Sequence, residues 1–217
     1  MSFLKKYCSN IIGQDPSVPK MKLPFGLRLG GIVDINTTFF IFNSEKTAMK
    51  DPGDKLYIEA ISSFNRKDCN IYNLYVGSEA GEDYILQVDF DKDFKLCAAK
   101  LFQQTFEILP QDRPELDEWE TRIIGDEFIR LPDGTEYDRV WEQGRRGHVD
   151  GYKLQERLYS TTLDSYNEMR RLMMLYSRNL DADTKEYLMA SSNRSTDKNF
   201  ISVAVGIHLD PENLKFN

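Results

Sequence analysis

The run from Tyr84 to Phe90 alternates strictly between two sets of side chains, and this alternation constrains the fold most. The apolar set is Tyr84, Leu86, Val88 and Phe90, and the set between them is Ile85, Gln87 and Asp89. A period of two places the two sets on opposite faces of a β-strand. Two similar runs, Lys55 to Phe64 and Ile71 to Val76, precede it and are separated by turn-forming residues. This spacing predicts an antiparallel meander.

The segments on either side of this meander are less regular. Residues 1–22 are predicted to form a short helix around Phe3 to Tyr7 followed by a surface arm, because Asp15-Pro16 and Pro19 interrupt any longer pattern. The stretch from Leu27 to Phe42 predicts two strands, with Gly30 and Gly31 at a bulge or a close backbone crossing. Phe94 to Ile108 suits either a helix or a strand, and we favour a strand.

The segment from Gln111 to Gly125 has the start and stop signals of a helix. Asp112 can cap the first turn, Pro114 fits the first helical positions, and Gly125 can adopt the left-handed conformation that ends a helix. Leu116, Trp119 and Ile123 are spaced by three and four residues. This spacing places them on one face, which we expect to pack against a sheet.

The second half of the chain returns to strand patterns. Pro132-Asp133-Gly134 predicts a hairpin between Phe128 to Leu131 and Thr135 to Trp141, because glycine accepts positive φ and Asp can bond its own turn backbone. Tyr152 to Tyr159 follows as a strand with Leu154 and Leu158 inward. A three-stranded meander is then predicted over three further runs, namely Met169 to Ser177, Glu186 to Ser192 and Phe200 to Leu209.

These elements together predict an α+β fold that is predominantly antiparallel β. Two meandering β-sheet units are joined by one linking helix at about residues 114–124, with short terminal helices. The expected division is an arm at 1–22, a β-rich unit at 23–110 and a helix plus β-meander unit at 111–217. The last two units could form one continuous domain.

Composition narrows the classes of function. The chain has 217 residues, with 35 acidic against 28 basic residues and a net charge of −7. This charge repels phosphates and anionic lipid, so we expect no nucleic acid partner. The N-terminus lacks the apolar stretch of a signal peptide and no run is long enough to span a membrane, so we predict a cytoplasmic protein without direct membrane insertion.

The cysteines and acidic clusters do not form a recognisable metal site. Cys8, Cys69 and Cys97 are odd in number and far apart, so we expect reduced, mostly buried thiols. The run from Asp89 to Asp93 resembles the opening of a calcium loop but lacks the glycine and glutamate that such a loop needs. We therefore predict no metal and no cofactor.

The sequence also lacks a catalytic motif. The serine of Gly77-Ser78-Glu79-Ala80-Gly81 stands one place too early for a nucleophile elbow. His148 and His208 are far apart and show no metal-ligand spacing. We assign no catalytic residues, and a hydrolase is the least favoured interpretation.

The loop that contains Arg145, Arg146 and His148 is the one local departure from the negative charge. Arginine binds carboxylate or phosphate through two parallel hydrogen bonds, and the flanking glycines would let backbone amides join them. These three residues are the candidate anion-binding or partner-binding site. The alternative is a solvated hairpin loop whose arginines pair with Glu142 or Asp150.

Three short stretches carry a resemblance to a known family. Leu23 to Gly31, Asp133 to Trp141 and Val205-Gly206-Ile207 resemble the spaced signatures of the YjfK-like bacterial proteins, a family of unknown function. The resemblance implies a cytoplasmic bacterial protein, often encoded near a membrane-associated coiled-coil protein of the phage-shock type and near small membrane proteins. It implies no catalytic residues.

Two hypotheses about function follow. The first is a non-enzymatic cytoplasmic interaction or adaptor protein, linked to a membrane-stress system, that presents sheet edges or loops to a protein partner. The second is a small-ligand or anion-binding domain that uses the Arg145 loop. A homo-oligomer is compatible with both hypotheses.

Overall fold

The computed structural model of the chain describes residues 21, 23–24, 26–66, 69–160, 162–163, 166–195 and 198–217. Its strands are β1 (Ile32–Asp34), β2 (Lys55–Arg66), β3 (Cys69–Ser78), β4 (Asp83–Phe90), β5 (Leu96–Ile108), β6 (Phe128–Arg130), β7 (Glu136–Arg139), β8 (Tyr152–Tyr159), β9 (Asn167–Asn179), β10 (Lys185–Arg194), β11 (Asn199–Leu209) and β12 (Lys215–Phe216). The helices are α1 (Thr38–Asn43), α2 (Arg113–Glu118), which continues as a π-helical turn over Trp119–Ile123, and a 3-10 turn at Pro211–Asn213. The predicted helix near Phe3 and the surface arm lie outside the described residues.

Eight of these strands close into an antiparallel barrel. Their order around the ring is β2-β3-β4-β5-β11-β10-β9-β8, and β8 returns to pair with β2. The two seams that join the N-terminal and C-terminal strands differ in length. At one seam β11 pairs with β5 from Ile201 to Leu209, whereas at the other only Ile61–Ser63 of β2 pair with β8. The prediction of an α+β fold with two meandering sheets is therefore wrong, because the sheet edges pair with each other.

The inward face of the barrel carries both apolar and polar side chains. Contacts between non-adjacent strands identify this face, since Arg171 on β9 reaches Tyr75 on β3 across the ring. Its apolar members form two packed clusters of buried residues. These are Phe102, Met173, Leu175, Met189 and Ala204 in one cluster, and Ala60, Tyr75 and Leu158 in the other.

The outward face is also largely apolar, because two other parts of the chain cover it. The apolar set of β4 packs outward against Val33, Phe40, Met49 and Leu214, which come from the segments before β2 and after β11. The outer face of β9, β10 and β11 packs against the segment between β5 and β8. The buried members of this second outer cluster are Ile124, Ile129, Leu131, Tyr137, Met174, Tyr176, Leu188, Ala190 and Val203.

One buried carboxylate on β10 accepts hydrogen bonds from both covering segments. Glu186 is fully buried. One of its oxygens accepts hydrogen bonds from the Thr47 hydroxyl at 2.6 Å and the Ala48 amide at 2.7 Å. The other accepts from the Tyr137 hydroxyl at 2.7 Å and from Arg178 Nε at 2.6 Å. These four donors satisfy a charge that would otherwise be costly to bury.

Most strand and turn predictions match the structure. Phe94 to Ile108 contains strand β5, and the hairpin at Pro132 to Gly134 joins β6 to β7. The linking helix begins as predicted, because Asp112 accepts a hydrogen bond from the Glu115 amide. It also ends as predicted, because Gly125 has a φ of 112°. None of the described helices is long and apolar enough to cross a membrane.

Two local predictions are wrong. The β-branched and aromatic run from Ile35 to Phe42 turns into helix α1 after Asn36, whose side chain accepts a hydrogen bond from the Thr38 amide. A side chain that bonds the backbone two residues ahead favours a turn over a continuing strand. Cys97 was expected to be buried but is exposed, and Cys69 is half-buried. Cys8 lies outside the described residues.

The close approach of two strands inside the barrel gives the first testable prediction. A Cβ at Gly206 would lie 2.3 Å from Phe102 Cδ1 and 2.8 Å from the Leu101 carbonyl oxygen. We expect Gly206→Ala to lower the free energy of unfolding by about 1–3 kcal/mol, because the ring and the backbone must both shift. Urea denaturation measures this loss.

The matched control is Gly77→Ala on β3. A Cβ at Gly77 would meet only the carboxylate end of Glu59, a flexible side chain that can move. We expect this variant to lose clearly less stability than Gly206→Ala, because no backbone atom has to shift. Equal losses in the two variants would contradict the packing described for Gly206.

Candidate functional site

A pocket of about 170 Å³ lies inside one end of the barrel. The end is identified by residues near strand termini, such as Phe64 on β2, Ile71 on β3 and Tyr152 on β8. The apolar part of the wall comes from four strands of the ring and one loop. It consists of Phe64, Ile71, Leu154, Met173, Leu175 and Trp141.

The polar part of the wall lies on β4 and β5. Gln87 and Lys100 stand directly opposite each other in the register of these strands, and Asp89 follows two residues after Gln87. Lys100 Nζ lies 5.9 Å from the centre of the Tyr187 ring, within the range of a cation–π contact. The pocket thus joins an apolar wall to one amide, one ammonium and one carboxylate.

Two aromatic side chains border the pocket where it meets the outside. Trp141 and Tyr152 pack edge to face, with ring centres 4.9 Å apart. The Tyr152 hydroxyl donates a hydrogen bond to Glu142 at 3.2 Å. This pair also separates the pocket from a second cleft, because Tyr152 lines both.

A buried polar network lies beneath the pocket. Glu156 on β8 is 1 % exposed, and one of its oxygens accepts hydrogen bonds from Asn73 Nδ2 at 2.9 Å, from the Tyr75 hydroxyl at 3.0 Å and from the Ser62 hydroxyl. Its other oxygen lies 3.0 Å from Arg171 Nε. This network therefore connects β2, β3, β8 and β9 inside the barrel.

The network extends to the pocket wall through an amide. Gln87 Nε2 donates a hydrogen bond to Asn73 Oδ1 at 3.1 Å, and Asn73 in turn donates to Glu156. Within the described residues Gln87 Oε1 makes no hydrogen bond. It is therefore available as an acceptor at the polar wall.

The electrostatics of this network favour the charged arginine and the neutral tyrosine. Burial is the largest single effect and opposes the charge of Arg171, but the Glu156 carboxylate and the Tyr75 hydroxyl together outweigh it and raise the pKa of the guanidinium above its ordinary value. Burial is the main reason why the pKa of Tyr75 is raised. Arg171 Nη2 donates a hydrogen bond to the Tyr75 hydroxyl at 2.8 Å. The hydroxyl in turn donates a hydrogen bond to Glu156 Oε1.

The three residues predicted from the sequence lie together in the second cleft. Arg145, Arg146 and His148 line an open concavity of about 770 Å³ with Tyr152 and Lys153. Arg145 Nη1 lies 3.2 Å from Glu142 Oε2, which is the ion pair that the alternative interpretation predicted. Arg146 has no ion pair or hydrogen bond within the described part of the chain. The His148 ring nitrogen Nε2 contacts the Ile124 carbonyl oxygen at 3.1 Å.

Hydrogen bonds with the side chains of Arg139 and Glu127 fix the backbone of this loop. Arg139 donates to the carbonyl oxygens of Gly125 at 2.6 Å and Gly147 at 2.7 Å, and also to that of Arg145. The Gly147 amide donates to the Glu127 carboxylate. The loop is therefore fixed to the end of the linking helix.

The sequence analysis missed the pocket inside the barrel. Gln87 and Asp89 were placed on the polar face of β4, a face that meets water in an open sheet. Barrel closure turns this face inward. A signal was present in β3, where both faces carry large side chains such as Tyr72 and Tyr75.

The buried ion pair gives the second testable prediction. We expect Arg171→Met to lower the free energy of unfolding by about 3–5 kcal/mol, because it leaves the Glu156 carboxylate buried without a cation. Adding Glu156→Gln should restore at least half of that loss, since the amide needs no counter-charge. Urea denaturation of the two variants measures both effects.

Arg157→Met on β8, the strand that carries Glu156, serves as the control. Arg157 pairs with Glu168 at 3.5 Å, but both side chains are at least 40 % exposed. We expect this variant to lose less than about 1 kcal/mol. A double variant as unstable as Arg171→Met alone would contradict the coupling between Arg171 and Glu156.

Comparison with known proteins gives one match. The family model described as Protein of unknown function (DUF2491) matches residues 5–215. The narrower resemblance to the YjfK-like proteins stays a prediction. Neither the curated proteins nor the solved structures gave a match to the chain. Because the family model covers almost the whole chain, the protein belongs to the DUF2491 family of proteins of unknown function.

Proposed function

We propose that this protein is a non-enzymatic binding protein that holds a small amphipathic molecule in the pocket at the barrel end. The observation that carries the proposal is the composition of the wall, where apolar side chains face one polar strip on β4 and β5. Ligand sites in proteins typically combine an apolar lining with a few polar groups that fix orientation. Barrels of eight strands are wide enough to hold one small ligand.

The size of the pocket limits the ligand. An apolar cavity of about 150 Å³ holds a molecule of the size of benzene. The pocket of about 170 Å³ therefore accepts a body of roughly one ring. A longer molecule would have to extend past Trp141 and Tyr152 into the second cleft.

The polar strip limits the head group. Lys100 and Asp89 contribute one charge of each sign, and Gln87 Oε1 adds a hydrogen-bond acceptor. An anionic ligand would be repelled by the Asp89 carboxylate, and a cationic ligand would be repelled by the Lys100 ammonium. We therefore favour a neutral head group that both donates and accepts hydrogen bonds, such as a primary amide.

Three single-ring probes test this proposal. Benzamide, benzoate and benzylamine share one body and differ in the charge of the head group. We expect benzamide to bind best, with a dissociation constant on the order of 0.1–1 mM given its small number of heavy atoms. Isothermal titration calorimetry measures the affinity. Trp141 fluorescence in a Trp119→Phe background reports whether the probe occupies this pocket.

A variant that fills the pocket provides the control. Leu154→Trp should abolish benzamide binding, because the larger side chain occupies the cavity. Leu109→Trp adds the same side chain at a position that is 58 % exposed and outside the pocket, so it should leave the affinity unchanged. Absence of binding by all three probes at 10 mM, a concentration about tenfold above the expected constant, would refute the proposal.

A second candidate function, binding of a protein partner, is favoured by one surface feature. Ile41 and Phe42 are neighbours on α1 and are 71 % and 74 % exposed. Large apolar side chains that protrude together are typical of interaction sites. The sheet edges favour this function less, because among the described strands barrel closure leaves the short strands β6 and β12 at the ends of the sheet.

The partner implied by the family resemblance makes this candidate testable. Co-purification with the coiled-coil protein of the phage-shock type should be reduced at least about tenfold by Ile41→Ser with Phe42→Ser, because two apolar contacts are lost. Leu109→Ser removes an exposed apolar side chain elsewhere and should have no effect. Unchanged recovery with the α1 variant would exclude this surface. The cytoplasmic location and the membrane-stress link remain part of the same proposal.

A further inference from the structure

We propose a second site, on the outer surface of the barrel, that binds a phosphate group carried by a small molecule. It lies beside the pocket inside the barrel, with which it shares the Leu154 side chain. The site is a cleft of about 420 Å³ that is lined by side chains of β8, β9 and β10 and by the linking helix. Lys153 and Arg170 are the residues that we expect to hold the phosphate.

The outer face of β8 differs from the outer faces of the other barrel strands. On the other strands most of the outward apolar residues are covered by the segments around Phe40 and Leu131. On β8 the outward residues Lys153, Gln155 and Arg157 are all exposed. This part of the barrel therefore presents its outer face to solvent, and two of these three residues are cations.

The register of β9 and β10 places two arginines directly opposite each other. Arg170 pairs with Arg194 in this ladder. Like charges in directly opposite positions destabilise a sheet. Arg194 is compensated by Glu120, whose two oxygens accept hydrogen bonds from Arg194 Nε at 2.8 Å and from Arg194 Nη2.

The Glu120 carboxylate is fully engaged by this contact. It also accepts a hydrogen bond from the Ser192 hydroxyl at 2.6 Å. Partial burial by itself raises the pKa of Glu120, but the hydrogen bonds from Arg194 and Ser192 outweigh burial and lower it. Glu120 is thus charged at neutral pH and already paired. Arg170 and Lys153 make no ion pair or hydrogen bond within the described residues.

The balance of charge in the cleft is positive, although the chain as a whole carries −7. Lys153, Arg170 and Arg194 line the cleft together with a single carboxylate, that of Glu120. Arg171 also lines it, but its charge is matched by Glu156. A dianion bound between Lys153 and Arg170 would neutralise the excess and separate the two opposed arginines.

The chemistry of the cations selects the class of ligand. The guanidinium of Arg170 can bind two oxygens of a phosphate in parallel, and Lys153 adds a flexible point charge. The remaining lining offers hydrogen bonds from Gln155 and Ser192 and two apolar contacts, from Leu154 and Leu172, to a small body. A recess of this size suits a soluble phosphorylated molecule better than the flat surface of a membrane.

Pyrophosphate is the probe for the first experiment. We expect it to raise the melting temperature of the protein more than sodium chloride does at equal ionic strength. Calorimetry should show that Arg170→Gln and Lys153→Gln each weaken binding about tenfold or more, as expected for loss of a charged hydrogen-bond donor. Lys185→Gln removes one exposed cation, which makes no ion pair with any described residue, from the far end of β10 and should change the affinity less than twofold.

A stability measurement separates binding from folding. Arg170→Gln should be at least as stable as the parent protein without ligand, because it removes one of two opposed like charges. Unchanged pyrophosphate affinity in Arg170→Gln would overturn the proposal. So would an equal thermal shift with chloride, or binding to vesicles of phosphatidic acid without any binding of pyrophosphate.

Discussion

The closure of the barrel between β2 and β8 is the constraint on which the remaining structure depends. The direct pairing at this seam is short, since it involves only three residues of each strand. The buried network of Glu156 reinforces it, because this carboxylate on β8 accepts hydrogen bonds from Ser62 on β2 and from two residues of β3. Arg171 on β9 supplies the counter-charge. Three hydrogen-bond donors and one cation compensate this buried carboxylate, so an arrangement of strands that removed them would leave its charge uncompensated.

Barrel closure has two consequences for function. Inside, it turns the alternating face of β4 into the wall of a pocket, where Gln87, Asp89 and Lys100 meet apolar side chains from the opposite strands. Outside, it leaves an apolar surface that the chain must cover with its own segments. Glu186 fastens both of these segments to β10. The outer face of β8 is exposed, and there the outward positions are polar or charged.

The three sites of interest are neighbours. Tyr152 borders both the pocket and the cleft that holds Arg145, Arg146 and His148, and Lys153 borders that cleft and the outer cleft of Arg170. The loop after β7 lies between them and is held rigidly by Arg139. A ligand in one site would therefore contact side chains next to another. Neighbouring sites of this kind are a physical basis for coupling, if the shared residues adopt different positions in the bound states.

Local sequence patterns were sufficient to predict most of the strands, the turns and the signals that begin and end the linking helix. These features are local: alternation, the capping side chain of Asp112 and the glycine at position 134 act within a few residues of themselves. Helix α1 was missed because one side-chain hydrogen bond from Asn36 outweighs the β-branched composition that follows it. Only the tertiary structure decided that the sheet closes, since pairing between β2 and β8 depends on contacts far apart in sequence. It also decided which face of each strand lines the pocket, because alternation separates two faces of a strand but does not say which face meets water.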